Sequence, residues 1–390
     1  MIAPSASATE ELARFSAVPF IVGCRSSPHN HADIPDVLPL NLEIDLTTAL
    51  IRQSPMEEVS KYLAGAYRSG SLLGTAMDDT PLGRSYAADF IAFLKSQTAL
   101  PDKHVLEIGA GRGYLLYLLR ESGAYVLGVE PGANNASHWQ QRGVPVVNDI
   151  FPSAQISQSF DLVVGFALLE HVDNLDDFLE SVADRLVPDG LAVFAVPDCT
   201  RYIADGDPGM LVHEHWSYFT ADTLAAVMTK AGFEVRAVTT SNYGGLLYVA
   251  ATPAVGVTSR PPSEQTLMAA RRFGSKSAAL RAAIAKRVQL LAEARRSLGI
   301  YVPGRALMWI DPATPARFFD DDPDIHGQYY PPFAARIENR EDLFNSPVDE
   351  LWIMSRSFGE KIARGLRDHA CMSATSILMI DDLLPQSVGG

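Results

Sequence analysis

The most regular hydrophobic pattern of the chain lies between residues 103 and 250, where short apolar runs alternate with stretches of helical periodicity. Uninterrupted apolar runs are typical of strands buried on both faces, and the helical stretches between them supply the crossovers. The pattern predicts a doubly wound parallel α/β sheet, with a turn at Val187–Gly190. The runs that predict its strands are Val105–Ile108, Ala124–Glu130, Val144–Val147, Phe160–Phe166, Leu191–Val196, Glu234–Thr239 and Leu246–Ala250.

The chain before this sheet is less regular. Residues 24–39 are rich in Ser, Pro, His, Asn and Asp, so residues 1–75 look irregular until a helical pattern begins at Met56. Residues 67–71 interrupt that pattern. A second helix, which includes Asp89–Leu94, is then expected to lead into the sheet.

The chain after the sheet changes pattern twice. Prolines mark residues 251–263 as a linker, and residues 264–298 predict a long amphipathic helix whose basic face is either a solvated surface or a pyrophosphate site. An α/β pattern then returns, with strands expected at Leu307–Ile310, Arg317–Phe319 and Glu350–Met354. The domain boundaries expected from these changes are 1–75, 76–252, 253–299 and 300–390.

A glycine-rich loop follows the first strand. Gly109, Gly111 and Gly113 allow backbone to approach a ligand with no Cβ in the way, and a helix beginning near Gly113 would point free amides at it. A dinucleotide fingerprint needs a sixth-position glycine, where this chain has Tyr114, and no Gly-Lys-Ser/Thr follows. The spacing from Glu107 instead resembles motif I of the class I S-adenosylmethionine (SAM) methyltransferases. That resemblance implies a Rossmann-like core with SAM as cofactor.

Other strand ends carry residues suited to the same ligand. Glu130 ends the second strand about 20 residues after the glycines, where an acid can hold ribose hydroxyls, although a solvated strand end gives the same pattern. Asp149 can accept from the adenine amino group, and Ile150 can pack on the adenine face. Phe166, at the end of the fourth strand, and Glu107 complete the predicted cofactor site.

Residues 211–219 concentrate two imidazoles, a carboxylate and three aromatic rings after the fifth strand. Histidine titrates near neutral pH, so His215 is a candidate proton acceptor, with Glu214 beside it. His213 and His215 could alternatively share a strand face and hold a metal, or be structural histidines under a lid. His213, Tyr218 and the later Asn242 are predicted to face the methyl acceptor.

Three further clusters have simpler explanations. Glu170–His171 is a second candidate base, but this pair more simply starts a helix and shapes the cofactor rim. Cys24, His29 and His31 lack a fourth ligand with zinc spacing, so no metal site is expected. The acids of Asp320–Gly327 follow a strand end, where a turn explains them as well as a cation does, and the turn is preferred.

Composition limits the partners. The chain of 390 residues has a formal charge of −14, which opposes binding to nucleic acid and favours a small-molecule acceptor. Its three cysteines form neither a disulfide framework nor a zinc pattern. No apolar run reaches the roughly 18 residues that span a bilayer, and the start lacks the basic residues of a secretory signal. We expect a cytoplasmic protein, monomeric or homodimeric, without a membrane partner.

The chain resembles SAM-dependent C-methyltransferases of nucleotide-linked deoxysugars. The resemblance rests on His-Glu-His-x-Ser-Tyr-Phe at His213–Phe219, on Gly244–Gly245, and on the Asp-x-x-Pro-x-x-x-Gly turn of Asp320–Gly327. It implies a smaller C-terminal Rossmann-like α/β domain, with His215 as general base and Glu214 as its support. The family's four-cysteine zinc module is reduced here to one cysteine.

Departures from this family leave alternatives open. A family tyrosine is replaced by Val212, and the family's Trp-Asn-Phe by Arg356-Ser-Phe358. The expected reaction is proton removal by His215 from a carbon next to a carbonyl, after which the enolate attacks the SAM methyl group while Tyr218 hydrogen-bonds the enolate oxygen. The alternatives are O-, N- or S-methylation of another metabolite, or a non-catalytic SAM-binding protein.

Overall fold

The computed structural model describes residues 8–20, 23–30, 34–67, 77–259, 261–356 and 358–384. These residues form two compact units, each built from separate stretches of chain. The first contains the chain up to Glu11, Leu42–Thr200 and Glu214–Ala270, and the second contains Leu12–Asn41, Arg201–His213 and the chain from Arg271. The expected boundaries at residues 75, 252 and 299 stay predictions. None of the described helices is long and apolar enough to cross a bilayer.

The N-terminal region is more regular than its composition predicts. Its elements are β1 (Thr9–Pro19), β2 (Val37–Asp45), β3 (Ile51–Gln53) and α1 (Glu57–Tyr67). The expectation of an irregular segment was therefore wrong for the three strands, whereas α1 confirms the helical pattern expected from Met56. The sequence signal for a strand was the alternation of apolar and polar residues in β2, in which every second residue is buried. The predicted interruption at 67–71 lies, beyond Tyr67, outside the described residues.

The first unit contains the predicted α/β sheet. Its elements are α2 (Pro81–Gln97), β4 (His104–Ile108), α3 (Tyr114–Glu121), β5 (Tyr125–Val129), α4 (Ala136–Arg142), β6 (Val146–Val147), β7 (Phe160–Phe166), α5 (Leu175–Ala183), β8 (Leu186–Pro197), β9 (Ser217–Tyr218), α7 (Ala221–Lys230), β10 (Phe233–Thr240) and β11 (Leu246–Pro253). Helix α6 (Thr200–Asp205), which follows β8 in the chain, belongs to the second unit apart from Thr200. The strand order is β10-β11-β8-β7-β4-β5-β6. Strands β4 to β8 run parallel, and β11 is antiparallel to both its neighbours. All seven strands expected from the sequence are therefore present.

Each face of this sheet has its own core. Leu106, Val163 and Phe194 pack in one buried cluster, and Val105 and Leu162 pack in the other. Neighbouring residues of one strand point to opposite faces, so strands covered on both faces are apolar throughout. Each such side chain stabilises the fold by about 1.5–3 kcal/mol on full burial.

The expected turn at Val187–Gly190 lies within strand β8. Phe160 pairs with Leu186 and Leu162 pairs with Leu191, so the residues between them form a bulge. Asp189 has a φ of 66° inside this bulge. The Pro-Asp-Gly composition correctly indicated irregular backbone, but the strand resumes pairing on both sides of it.

The second unit contains a smaller parallel sheet. Its elements, with the long helix that precedes them, are α8 (Glu264–Glu293), β12 (Leu298–Tyr301), β13 (Ala316–Phe319), β14 (Ile337–Glu338), α9 (Arg340–Asn345), β15 (Glu350–Ile353), α10 (Gly359–Arg367), β16 (Ser376–Met379) and α11 (Ile380–Leu383). The order β14-β13-β12-β15-β16 places the first strand at the centre, as in doubly wound folds.

One strand of this unit was placed wrongly. Leu307–Ile310 follows a 3₁₀ helix at Pro303–Arg305 and forms a buried turn, whereas the strand is Leu298–Tyr301. A short buried apolar run has no periodicity that separates strand from turn. The expected strands at Arg317–Phe319 and Glu350–Met354 correspond to β13 and β15. The turn expected in Asp320–Gly327 is present, with Asp322 N donating to Asp320 Oδ1 at 3.0 Å.

Candidate active site

The glycine loop joins the end of β4 to the start of α3. Gly109, Gly111 and Gly113 have φ values of 73°, 49° and 75°, in the left-handed region that other residues rarely adopt. A Cβ at Gly113 would lie 3.0 Å from a methyl carbon of Val144. Backbone conformation and close packing therefore both require glycine here, and the loop presents main-chain groups at the carboxyl edge of the sheet.

Glu130 follows β5 and faces this loop. Its Oε2 accepts from Gly111 N at 3.0 Å, and its Oε1 accepts from Gly132 N at 2.8 Å. The carboxylate is buried and fixed by backbone amides. Both oxygens can accept a further hydrogen bond because each carboxylate oxygen has two lone pairs. Two adjacent hydroxyl donors of a ribose fit this arrangement.

Glu107 is the next-to-last residue of β4, just before the loop. Burial, followed by the negative charge of Glu130, raises the pKa of Glu107 well above its usual value. Its Oε2 is buried and has no hydrogen-bond partner among the described residues. A buried polar oxygen without a partner is costly, so a donor on a bound ligand would complete this position. These observations fit a ligand that carries hydroxyl groups and a further polar group.

The remaining predicted cofactor residues differ in their surroundings. Asp149 accepts from Ser153 Oγ at 2.7 Å, and this bond, followed by that from Ile150 N, holds the pKa of Asp149 below its usual value. The Ile150 side chain is exposed and can cover a flat ring. Phe166 is buried, with its ring 5.4 Å from that of Phe90, so its contribution is to the wall behind the loop.

His215 lies in a cluster that the sequence did not predict. Its ring is 4.9 Å from that of His171, at 85°, and 6.3 Å from that of Tyr218. His171 Nδ1 is 3.0 Å from the carbonyl oxygen of Glu214, which requires an N–H on Nδ1 and leaves Nε2 as an acceptor. Trp216 N donates to the carbonyl oxygen of Glu170 at 2.6 Å. The two segments are therefore held together by their backbones.

Strand pairing fixes the other side of this segment. In the first unit, Leu42 pairs with Gln53, and Ile51 pairs with Tyr218 of β9. Gln53 N donates to the carbonyl oxygen of Trp216 at 2.9 Å. Tyr218 is fully buried as a result. Residues 214–218 are thus rigidly placed from both sides, which a catalytic group requires.

The cluster is unusual in its protonation. Burial lowers the pKa of His171 to about 4 and raises the pKa of Glu170 to about 8. At neutral pH the imidazole and the carboxyl group are therefore both uncharged. Glu170 Oε1 is 4.0 Å from His171 Nε2. Neither of these two groups therefore places a charge beside His215 at neutral pH.

The same cluster has the composition of a metal site. Ligand atoms of Glu170, His171 and His215 all lie within 4.8 Å of one another, and no other such group occurs in the described part of the chain. Cys24 and His29 therefore belong to no such group, and His31 lies outside the described residues. His29 Nδ1 instead lies 2.7 Å from Asp36 Oδ2.

His213 occupies different surroundings. It lies in a turn and not on a strand, so it does not share a strand face with His215 as one expectation required. Its Nε2 is 3.3 Å from the carbonyl oxygen of Pro39, and its ring is 5.3 Å from that of Phe20, all within the second unit. Burial lowers the pKa of His213. This environment matches the structural interpretation of His213 better than an acceptor contact.

Asn242 is held by an aspartate that the sequence gave no reason to select. Asp89 of α2 is buried and accepts from Asn242 Nδ2 at 2.5 Å, Asn242 N at 3.1 Å, Ser241 Oγ at 2.7 Å and Tyr248 Oη at 3.0 Å. Burial raises the pKa of Asp89, but these hydrogen bonds together outweigh it and keep the pKa below its usual value. The side-chain amide nitrogen of Asn242 therefore already donates a hydrogen bond to Asp89.

We expect Asp89→Ala to lower the free energy of unfolding by roughly 2–4 kcal/mol, because it leaves the buried hydroxyls of Ser241 and Tyr248 without their acceptor. Urea unfolding monitored by circular dichroism measures this. Asp89→Asn keeps the shape and one acceptor oxygen, so its loss should be smaller. Equal stability of the alanine variant and the wild type would contradict the role given to this network.

We expect Glu170→Gln to flatten the dependence of stability on pH. Because the folded pKa is about 8 and the ordinary value is 4.5, the contribution of Glu170 is fully present below about pH 4.5 and is lost as pH rises to about 8. The slope from this one group reaches about 1.4 kcal/mol per pH unit. Urea unfolding across this range, with the exposed Glu180→Gln as control, tests it. An unchanged slope would show that Glu170 ionises normally.

Part of the chain matches a known protein family. Residues 82–238 match a protein family described as a methyltransferase domain. The match covers the glycine loop, Glu130, Asp149 and the cluster around His215 within its bounds. These residues are a SAM-dependent methyltransferase domain. Its cofactor is S-adenosylmethionine.

The methyltransferase domain has relatives with several acceptors. The C-methyltransferase NovU of Streptomyces niveus is 30% identical over 43% of this chain and 42% of its own length. A ubiquinone biosynthesis O-methyltransferase of Rhizobium etli is 26% identical over 38% of this chain and 66% of its own. The chain therefore matches less than two thirds of either relative. A solved structure, the DhpI-SAM-HEP complex, is 19% identical over 51% of this chain and 100% of its own, with a TM-score of 0.42.

Proposed function

We propose that this protein transfers the methyl group of SAM to a carbon next to a carbonyl on a nucleotide-linked sugar. The observation that carries the proposal is the position of His215 in a rigid cluster with His171 and the uncharged Glu170. Carbon acceptors need a base, because their protons are far less acidic than those of most heteroatom acceptors. The likeness to NovU, which is named a C-methyltransferase, supports this choice.

In this mechanism the chain binds the cofactor and moves one proton. The glycine loop and Glu130 hold the cofactor, which supplies an electrophilic methyl group when bound. The base nitrogen of His215 takes the proton from the acceptor carbon, so the C–H electron pair becomes the nucleophile. A carbon–carbon bond forms as the sulfur–methyl bond breaks, and S-adenosylhomocysteine leaves with that electron pair. Glu214 supports His215, and the buried Tyr218 holds the His215 segment in place through its pairing with Ile51.

The runner-up is methylation of a heteroatom. The likeness to a relative named a ubiquinone biosynthesis O-methyltransferase supports transfer to oxygen. His215 would then take a hydroxyl proton, or Glu170, His171 and His215 would hold a cation that lowers the pKa of that hydroxyl. Full activity after dialysis against a chelator would exclude a required, removable cation.

Exchange with deuterium distinguishes the two reactions. The protein is saturated with S-adenosylhomocysteine and incubated in D₂O with a dTDP-linked 4-keto-deoxysugar, so that no methyl transfer occurs. We expect deuterium to enter next to the carbonyl faster than without protein, as measured by NMR. Turnover with SAM should then methylate the same carbon. Methylation of an oxygen, without exchange at carbon, would overturn the proposal and leave the heteroatom reaction.

A further inference from the structure

The loop Ser241–Gly245 lies at the ligand-binding edge of the first unit's sheet. Leu246, the first residue of β11, pairs with Pro197, the last residue of β8, and β11 runs antiparallel to β8. Asp198 N donates to the carbonyl oxygen of Gly245 at 3.0 Å. The loop between β10 and β11 is therefore beside the carboxyl ends of the parallel strands, where ligands bind in this fold.

Strand order divides this edge into two sides. The central strand β4 has β5 and β6 on one side and β7, β8 and β11 on the other. Glu130 follows β5 and Asp149 follows β6, so the cofactor residues extend toward that first side. With the cofactor placed on these residues as proposed, the acceptor would approach from the other side. The loop Ser241–Gly245 belongs to the acceptor side.

Three rings on this side form a row. The ring of Phe166 is 6.4 Å from that of Tyr86, which is 6.0 Å from that of Tyr243. We call Phe166, Tyr86 and Tyr243 the aromatic row. Phe166 is buried, Tyr86 is half-buried and Tyr243 is 49% exposed. The row ends in a ring that is open to solvent.

Hydrogen bonds hold the open end of the row in place. Asp89 fixes Ser241 and Asn242 on one side of Tyr243, and Tyr243 N donates to Ser241 Oγ at 3.2 Å. On the other side, Gly244 and Gly245 have φ values of 71° and 75°, with no atom within 4 Å of the position of a Cβ. The backbone of Tyr243 is therefore held in place, its ring contacts Tyr86, and the loop borders open space. A backbone that is fixed before binding lowers the entropic cost of recognition.

We propose that Tyr243, supported by Tyr86, is a binding subsite for a planar ring of the methyl acceptor. This proposal rests on the proposed function, because the acceptor side of the sheet is defined relative to the expected position of the cofactor. A flat π-system fits best, since aromatic rings stack with an exposed tyrosine, and such contacts change affinity about tenfold. The base of a nucleotide-linked sugar and the ring of a phenolic acceptor share this chemistry.

Two ring probes and three variants test the subsite. The probes are thymidine 5′-monophosphate and catechol, each titrated by saturation-transfer NMR into protein saturated with S-adenosylhomocysteine. Tyr243→Leu removes the π-system, and Tyr243→Phe retains it. Tyr125→Leu is the matched control, because Tyr125 is 60% exposed but begins β5, at the opposite edge of the sheet.

We expect Tyr243→Leu to weaken at least one probe about tenfold, with Tyr243→Phe and Tyr125→Leu close to the wild type. Selective loss of the nucleotide supports a nucleobase, and selective loss of catechol supports a phenolic ring. Wild-type affinity of Tyr243→Leu for both probes, or no binding of either probe by the wild type, would overturn the subsite. Calorimetry of SAM binding to the wild type separates this result from failure of the proposed function. Absence of SAM binding would contradict the proposed function, whereas normal SAM binding without a role of Tyr243 would contradict only the subsite.

Discussion

Replacement of His215 by glutamine is expected to lower kcat for methyl transfer by about 10²–10⁴-fold, the usual contribution of a positioned general base. Glutamine fills a similar volume and can hydrogen-bond, but it does not take a proton near neutral pH. His171 does not replace it, because its Nδ1–H is directed at the carbonyl oxygen of Glu214 and burial lowers the pKa of His171 to about 4. SAM affinity should be unchanged.

Initial rates with saturating SAM and acceptor measure the loss, and calorimetry measures SAM binding. His104→Gln is the matched control, because His104 begins β4 at the amino edge of the sheet and stacks on Tyr125. The same His215 variant should lose deuterium exchange at the acceptor carbon in parallel with turnover. Retention of full turnover would refute the base assignment, and loss of turnover with normal exchange would place the role of His215 in a later step.

What the sequence could predict depended on how local the signal was. The glycine loop and Glu130 were found because a strand end, its turn and the next strand end follow one another at a spacing that the sheet imposes. The alternating glycines likewise predicted a turn without side chains, and the structure gives Gly109 and Gly113 the positive φ values that glycine tolerates. Contacts of this kind are set by the chain's own geometry.

Other features of the site depend on contacts between distant stretches. The proximity of His171 and His215 arises because Trp216 N bonds the carbonyl oxygen of Glu170, and no local pattern encodes this pairing. Asp89 was assigned to a helix, as observed, but its burial beside Asn242 follows from packing of α2 against the end of the sheet. The burial of an acid on an amphipathic helix can be inferred only once the buried face of that helix is known.

Replacement of Glu130 by alanine is expected to weaken SAM binding by about 10–100-fold, or about 1.4–2.7 kcal/mol. The carboxylate oxygens that would receive the ribose hydroxyls are removed, and the amides of Gly111 and Gly132 lose the acceptor that orders the loop. Glu130→Gln retains one oxygen acceptor, so its affinity should lie between those of the alanine variant and the wild type.

Calorimetric titration of SAM and S-adenosylhomocysteine measures both variants, and S-adenosylhomocysteine should be affected equally because it carries the same ribose. The exposed Glu234→Ala on β10 is the control for loss of one negative charge. Adenine alone should bind the alanine variant as it binds the wild type, since its contacts are expected at Asp149 and Ile150. An alanine variant that binds adenine normally but SAM weakly would show that the lost binding free energy comes from the contacts to the ribose. Wild-type SAM affinity in that variant would mean that the acid at this strand end only orders the loop and does not hold the cofactor.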